Sequence, residues 1–191
     1  MPQSRATWLS ERFAVRTVKG WATLAHPLFL EALGTLIDAV AAERARKPLE
    51  YKSGANAKLL AAVLQLISET IPSNPASPAF RQGKTLGPEY GHWFRAKFGG
   101  GRFRLFFRYM AQPPVIIFAW LNDDDTLRTR GSKTDAYRVF HGMLDRGNPP
   151  NDWAALKAAC GSKDRLSRAI TRAGDILVIT VDERPKPPKL G

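Results

Sequence analysis

Between Trp93 and Tyr109 the chain reads WFRAKFGGGRFRLFFRY, and five cations in it fall on regular positions around a glycine triplet. Side chains alternate faces along a strand, so Arg95 and Lys97 share one face of a first strand, and Arg102, Arg104 and Arg108 share one face of a second. The other faces carry Phe94, Ala96 and Phe98, then Phe103, Leu105, Phe107 and Tyr109, which is a core side. A two-residue turn cut either way from Gly99-Gly100-Gly101 sets Lys97 opposite Arg102 or Arg104, whereas a three-residue loop would pair Lys97 with Phe103 and mix the faces. The two-residue turn is the expectation. Like charges facing each other destabilise a sheet, so the cluster points to a bound polyanion, with a solvated basic face as the plain alternative.

Other cations stand near in sequence. Arg128 and Arg130 alternate in a segment read as extended, and Lys133-Thr134-Asp135-Ala136-Tyr137 reads as a helix start, where Thr134 or Asp135 can cap and an anion is favoured. His141 lies one helical turn beyond Tyr137 on the same face. Arg81 and Lys84 sit in RQGKT, which resembles the end of a phosphate-binding loop, but the motif needs glycine where Pro78 stands and no strand precedes it. They remain candidate contacts to an RNA backbone. Asp123, Asp124 and Asp125 are consecutive, which suits a turn better than the alternating acids of a calcium loop. No metal site and no cofactor is expected.

These residues need a scaffold of one ordinary domain, which 191 residues can supply. The net charge of +12 favours nucleic acid, a ribosome or an acidic protein as partner over a small neutral substrate. Cys160, the single cysteine, excludes intramolecular disulfides, cysteine zinc fingers and a CxxC centre, and suits a reducing cytoplasm. The first sixteen residues hold no continuous apolar core of signal-peptide length and no run approaches the length needed to span a bilayer, so neither a signal peptide nor a membrane partner is expected. Hydrophobic spacing predicts a strand from Val18 to Ala25, a helix from Leu28 to Lys47 and a second from Gly54 to Ile71 that stops before Pro72. A long loop to His92 follows, then the hairpin. VIIFAWL, Val115 to Leu121, reads as a strand buried on both faces. A helix is expected from Thr134 to Leu144, with short helices from Asp152 to Cys160 and from Arg165 to Ala173. A last strand from Asp175 to Asp182 and a disordered tail from Arg184 end the chain.

GWATLAHPLF, SPAFRQGKTLG, the hairpin itself, WLNDDDTLRTRGSKTDAYRVF and MLDRGNPPNDW, in that order, resemble the YhaV toxins, members of the RelE superfamily of bacterial type II toxin–antitoxin ribonucleases. The resemblance spans roughly residues 18 to 155. It implies an α+β fold in which a small, mainly antiparallel twisted sheet packs against two N-terminal helices, with a short C-terminal helix and terminal extensions at residues 1–17 and 156–191. It also implies cleavage of mRNA, free or on the ribosome, and inhibition by a PrlF-like antitoxin, with operator DNA bound only by the toxin–antitoxin complex. By motif position Arg95 and Lys97 match the lysine pair of RelE-type enzymes, Arg104 matches their strand arginine, and Lys133 and Tyr137 match their final basic and aromatic pair. Arginine at position 95 cannot give up its proton near neutrality, so Arg95 is read as an RNA contact.

The resulting hypothesis is metal-independent cleavage, in which a ribose 2′-hydroxyl attacks its own 3′-phosphate. DNA lacks that nucleophile. Lys97 accepts the proton, Arg104 and Arg102 stabilise charge on the phosphorane, Lys133 or His141 protonates the leaving 5′-oxygen, and Tyr137 stacks on or orients the nucleotide. Arg95, Arg108, Arg81, Lys84, Arg128, Arg130 and His141 make up the RNA-binding set. The rival is a non-catalytic basic RNA- or ribosome-binding module, which would bind with steep salt dependence and leave RNA intact. A DNA-reading regulator is disfavoured, because no helix-turn-helix is visible.

Overall fold

The computed structural model describes residues 17–162 and 164–177. The expected N-terminal extension, most of the last strand and the tail therefore lie outside the described residues. Among the described residues five strands form one mixed sheet in the order β1-β2-β5-β4-β3: β1 (Thr17–Val18), β2 (Trp21–Ala25), β3 (Phe94–Phe98), β4 (Phe103–Met110) and β5 (Val115–Leu121). Neighbours run antiparallel except β2 and β5, which are parallel. Two corrections to the sequence reading follow. The first predicted strand is broken by a turn at Lys19 and Gly20, both at positive φ. The sheet also begins before the helices and includes a parallel pairing, because the chain crosses over through two helices between β2 and its neighbour β5.

Helix α1 (Pro27–Arg46) starts at the expected His26-Pro27 boundary, where the buried His26 ring accepts from the Leu28 N–H. Burial lowers the His26 pKa. Helix α2 (Ala55–Gln65) does not stop before Pro72. A π-helical stretch, Leu66–Thr70, follows it and helical backbone continues through Ile71–Ser73. The wider turn gives room to a proline ring that would strain a regular helix. Helix α3 (Ala136–Asp145) and α4 (Trp153–Ala159) lie where the pattern put them. Helix α5 (Asp164–Leu177) runs past the predicted end, so the expected strand from Asp175 is helical over its first three residues.

The sheet separates two cores. On one face Phe29, Leu33, Ile37 and Val40 of α1, Leu60 and Val63 of α2, and Leu166 and Ala173 of α5 pack on Ala96, Leu105, Phe107, Ile116 and Phe118. On the other, Phe140 and Leu144 of α3 and Leu156 of α4 pack with Trp93, Phe106, Ile117, Ala119 and Trp120. β5 is buried along its whole length, as its unbroken apolar run requires. A bulge makes the second core possible. Phe106 pairs with Trp120 and Phe107 with Phe118, so Ala119 is an extra residue. It turns Trp120 onto the face of Phe106 and Phe140, where the rings stack at 5.8 Å centroid distances.

Candidate active site

The hairpin adopts one of the two expected registers, with Lys97 opposite Arg104 and Phe98 opposite Phe103. The Arg102 N–H donates to the Gly99 carbonyl at 3.3 Å across Gly100 and Gly101. Both of those glycines have positive φ, the sign pattern of a type I′ turn. The face that carries the cations is not open, however. In its middle stands Phe106, and α3 lies over it with Phe140 stacked on Phe106 at 4.1 Å. Arg95 and Arg104 are accordingly buried, at 7% and 5% exposure.

What α3 brings to them is Tyr137. Asp135 caps the helix by accepting the Tyr137 N–H at 3.0 Å, so the anion favoured at this helix start is the protein's own carboxylate. The Tyr137 ring packs edge-on against Phe106 at 5.6 Å. Its hydroxyl accepts from Arg95 Nε at 2.7 Å and from Arg104 Nε at 3.4 Å. No acceptor is found for the phenol's own proton among the described residues. Arg95 is held from its far side by the Ala79 carbonyl at 2.6 Å, and Arg104 by the carbonyls of Gly101 and Phe103 at 2.7 and 2.8 Å. Arg128 completes the cage, 5.0 Å from the Tyr137 ring centroid and ion-paired to Asp135. Among the described residues, three guanidinium groups thus surround one phenol with a single carboxylate to offset them.

Arg128, Arg130, Arg138, Tyr137, His141 and Thr85 line an open hollow of about 320 Å³ beside this cage. The loop before the hairpin forms one wall, and Gln82 stiffens it by donating to the Tyr90 carbonyl and accepting the Leu86 N–H. Lys97, Arg102, Lys133, Arg130, Arg81 and Lys84 are exposed, without an ion pair or side-chain hydrogen bond among the described residues. None of them bonds to Tyr137; Arg130 lines the hollow beside it, and Arg102 lines a different one with Ala55, Lys58 and Leu59 of α2. Arg108 is drawn elsewhere. It lies between the Trp93 and Trp153 rings, 5.4 and 5.3 Å from their centroids, and donates to the Asn151 carbonyl. Burial lowers its pKa. It clamps α4 to the sheet. Sequence reasoning missed Asp135 as the partner of Arg128 and gave no role to Asp145 or Glu89 around His141. Only the acids' spacing from Tyr137 and His141 along one helix could have signalled the first two. Asp123 to Asp125 form the expected turn, with Asp123 capping it. No group of three or more His, Cys, Asp or Glu that could hold a metal is found among the described residues.

A family described as "toxin with endonuclease activity, of toxin-antitoxin system" matches residues 23–161, a stretch that contains the hairpin, the hollow and all of α3. The chain belongs to the YhaV toxin family. It is 53% identical over 140 residues to toxin YhaV of Escherichia coli O6:H1. To the ribonuclease toxin YhaV of Escherichia coli K12 it is 52% identical over 140 residues. In both cases the match covers 73% of this chain and 91% of the relative. No solved structure matches it. As a YhaV-family toxin the chain is an endonuclease with an antitoxin partner, and the caged tyrosine lies within the matched region. No helix among the described residues is long and apolar enough to cross a membrane.

Proposed function

We propose that this chain is an endoribonuclease that cleaves mRNA by in-line attack of the ribose 2′-hydroxyl on the adjacent phosphate, and so stops translation and growth. The observation that carries this reading is the Tyr137 hydroxyl set among Arg95, Arg104 and Arg128 with, among the described residues, only Asp135 against them. Burying like charges without counterions is costly, and a phosphodiester supplies the missing negative charge. The printed name of the K12 relative, a ribonuclease toxin, points the same way.

In this mechanism the Tyr137 O–H, which has no acceptor among the described residues, donates to a non-bridging phosphate oxygen. Arg104 stabilises the charge that grows there, and Arg95 fixes the phenol rather than meeting RNA directly. Lys97 accepts the 2′-proton from its place across the hairpin from Arg104, and Arg102 and Lys133 add mobile positive charge around the scissile group. Arg81, Lys84, Arg128, Arg130 and His141 border the strand's path, while Arg108 supports the wall. We further propose a RelE-like arrangement of the unit at residues 18–155, extensions on either side of it, a cytoplasmic location, a PrlF-like antitoxin, contact with the ribosome, and operator DNA bound only with the antitoxin.

Purified protein incubated with matched RNA and DNA strands, with and without chelator, tests this directly. RNA is cut to 2′,3′-cyclic phosphate or 3′-phosphate ends, DNA survives, chelator changes nothing, and Arg104→Ala slows cutting on the order of a hundredfold. Salt-sensitive binding that leaves RNA whole would establish the non-catalytic binding module instead.

A further inference from the structure

Tyr137, His141 and Asp145 follow one another at four-residue spacing on α3, so they stack along one side of the helix. His141 Nδ1 is 2.9 Å from Asp145 Oδ2. The other carboxylate oxygen of Asp145 accepts the Tyr90 hydroxyl at 2.8 Å, and the Tyr90 ring meets the His141 ring edge-on at 5.3 Å. Hydrogen bonding to Asp145, then burial, raises the Tyr90 pKa, so Tyr90 stays a donor. The imidazole is therefore gripped at one nitrogen and one edge. Its other nitrogen, Nε2, makes no hydrogen bond among the described residues, and Glu89 Oε1 at 3.7 Å is beyond bonding reach. His141 lines the same hollow as Tyr137, Arg128, Arg130 and Arg138.

A carboxylate on Nδ1 fixes the tautomer and leaves Nε2 to exchange protons with a substrate. We propose that His141 is the proton donor to the leaving 5′-oxygen and that Asp145, anchored by Tyr90, is its positioning residue, an assignment that rests on the ribonuclease reading. As the 2′-oxygen bonds to phosphorus and gives its proton to the neutral amine of Lys97, which becomes an ammonium, the P–O5′ bond breaks and its electron pair stays on the 5′-oxygen. The proton on Nε2 of the imidazolium joins that oxygen. The products are a 2′,3′-cyclic phosphate, a 5′-hydroxyl and neutral imidazole. Lys133, the other candidate donor, is exposed and has no partner among the described residues, so nothing aims its ammonium. Among the described residues the charged groups around the imidazole are Asp145 and Arg138 on its own helix, Glu89 on the facing loop, Arg128 and Arg130 on the segment before α3, and Asp135 at the helix cap.

The test uses the full chain and an RNA oligonucleotide whose mapped cleavage site carries sulfur in place of the bridging 5′-oxygen. A thiolate leaves without a proton, so only loss of the donor is repaired. On oxygen RNA, His141→Gln loses roughly a hundredfold to ten-thousandfold in rate and the limb of the pH profile that requires the protonated donor. On sulfur RNA it cleaves within a few-fold of the parent, which also shows that the variant is folded. Asp145→Asn, whose amide can hold the ring in the wrong tautomer, loses at least about tenfold and is repaired in the same way. An unchanged oxygen rate for His141→Gln, an equal loss on both substrates, or a sulfur-repaired loss in Lys133→Ala overturns the assignment. Failure of the parental chain to cut either RNA would strike the ribonuclease reading itself.

Discussion

Replacing Tyr137 by phenylalanine removes one oxygen from the centre of the arginine cage and keeps the ring that packs on Phe106. The Arg95 Nε–H, buried and 2.7 Å from that oxygen, loses its acceptor. A hydrogen bond with a charged partner contributes about 1.5–3 kcal/mol. The 3.4 Å contact from Arg104 adds little at that length. Against a domain stability of 5 kcal/mol, the low end of the usual range, a loss of 3 still leaves roughly 97% of molecules folded at 25 °C. Unfolding therefore cannot account for a large loss of rate. If the hydroxyl donates to the reacting phosphate, its removal costs a further ~2.7–4 kcal/mol at the transition state, which is about a hundredfold to a thousandfold. Urea unfolding gives the first quantity, and single-turnover cleavage of labelled RNA gives the second. A rate within about fivefold of the parent would show that the phenol only braces the arginines. An unchanged unfolding midpoint would show that Arg95 does not depend on it.

Two further outcomes test the scaffold. An added Cβ at Gly99 would lie 2.6 Å from the Phe103 ring, whereas Gly100 faces open space, and both have positive φ. Gly100→Ala should cost about 1–2 kcal/mol in urea unfolding from backbone strain alone, and Gly99→Ala more, with a fall in cleavage as the Lys97–Arg104 pairing loosens. The His26 pKa is lowered from 6.5 by burial. Below 6.5 the unfolded chain takes up a proton that the folded one refuses, so this stability is present above that pH and is lost as pH falls toward the folded value. Unfolding midpoints measured from pH 7.5 downward should drop less steeply in His26→Asn, which keeps a capping oxygen.

The site was legible in the sequence wherever it depended on local period. The alternation of FRAKF and RFRLFFRY, with a two-residue glycine turn, sets a cation opposite Lys97, and the unbroken VIIFAWL requires a strand covered on both sides. Helices over Leu33 to Val40 and over Tyr137 to Leu144 follow from apolar spacing. Proline at position 72 was misread because a π-helical stretch is a response to packing that leaves no distinct local pattern. Asp175 to Asp182 alternates well, yet Ala173 and its neighbours gain more by lying on α1, and the helix continues through Leu177.

Residue types and their spacing were enough to determine a basic hairpin and a following tyrosine helix, and the resemblance of the motifs gave the family and hence the class of chemistry. They left undecided which cations serve the site and which serve the fold, because parity along a strand names a face but not what covers it. The bulge at Ala119, the arrival of α3 over Phe106 and the indole clamp on Arg108 are all contacts between segments distant in sequence. Only in three dimensions do Arg95 and Arg104 turn inward to a phenol while Lys97 stays in solvent, since burial is settled by the elements that meet there.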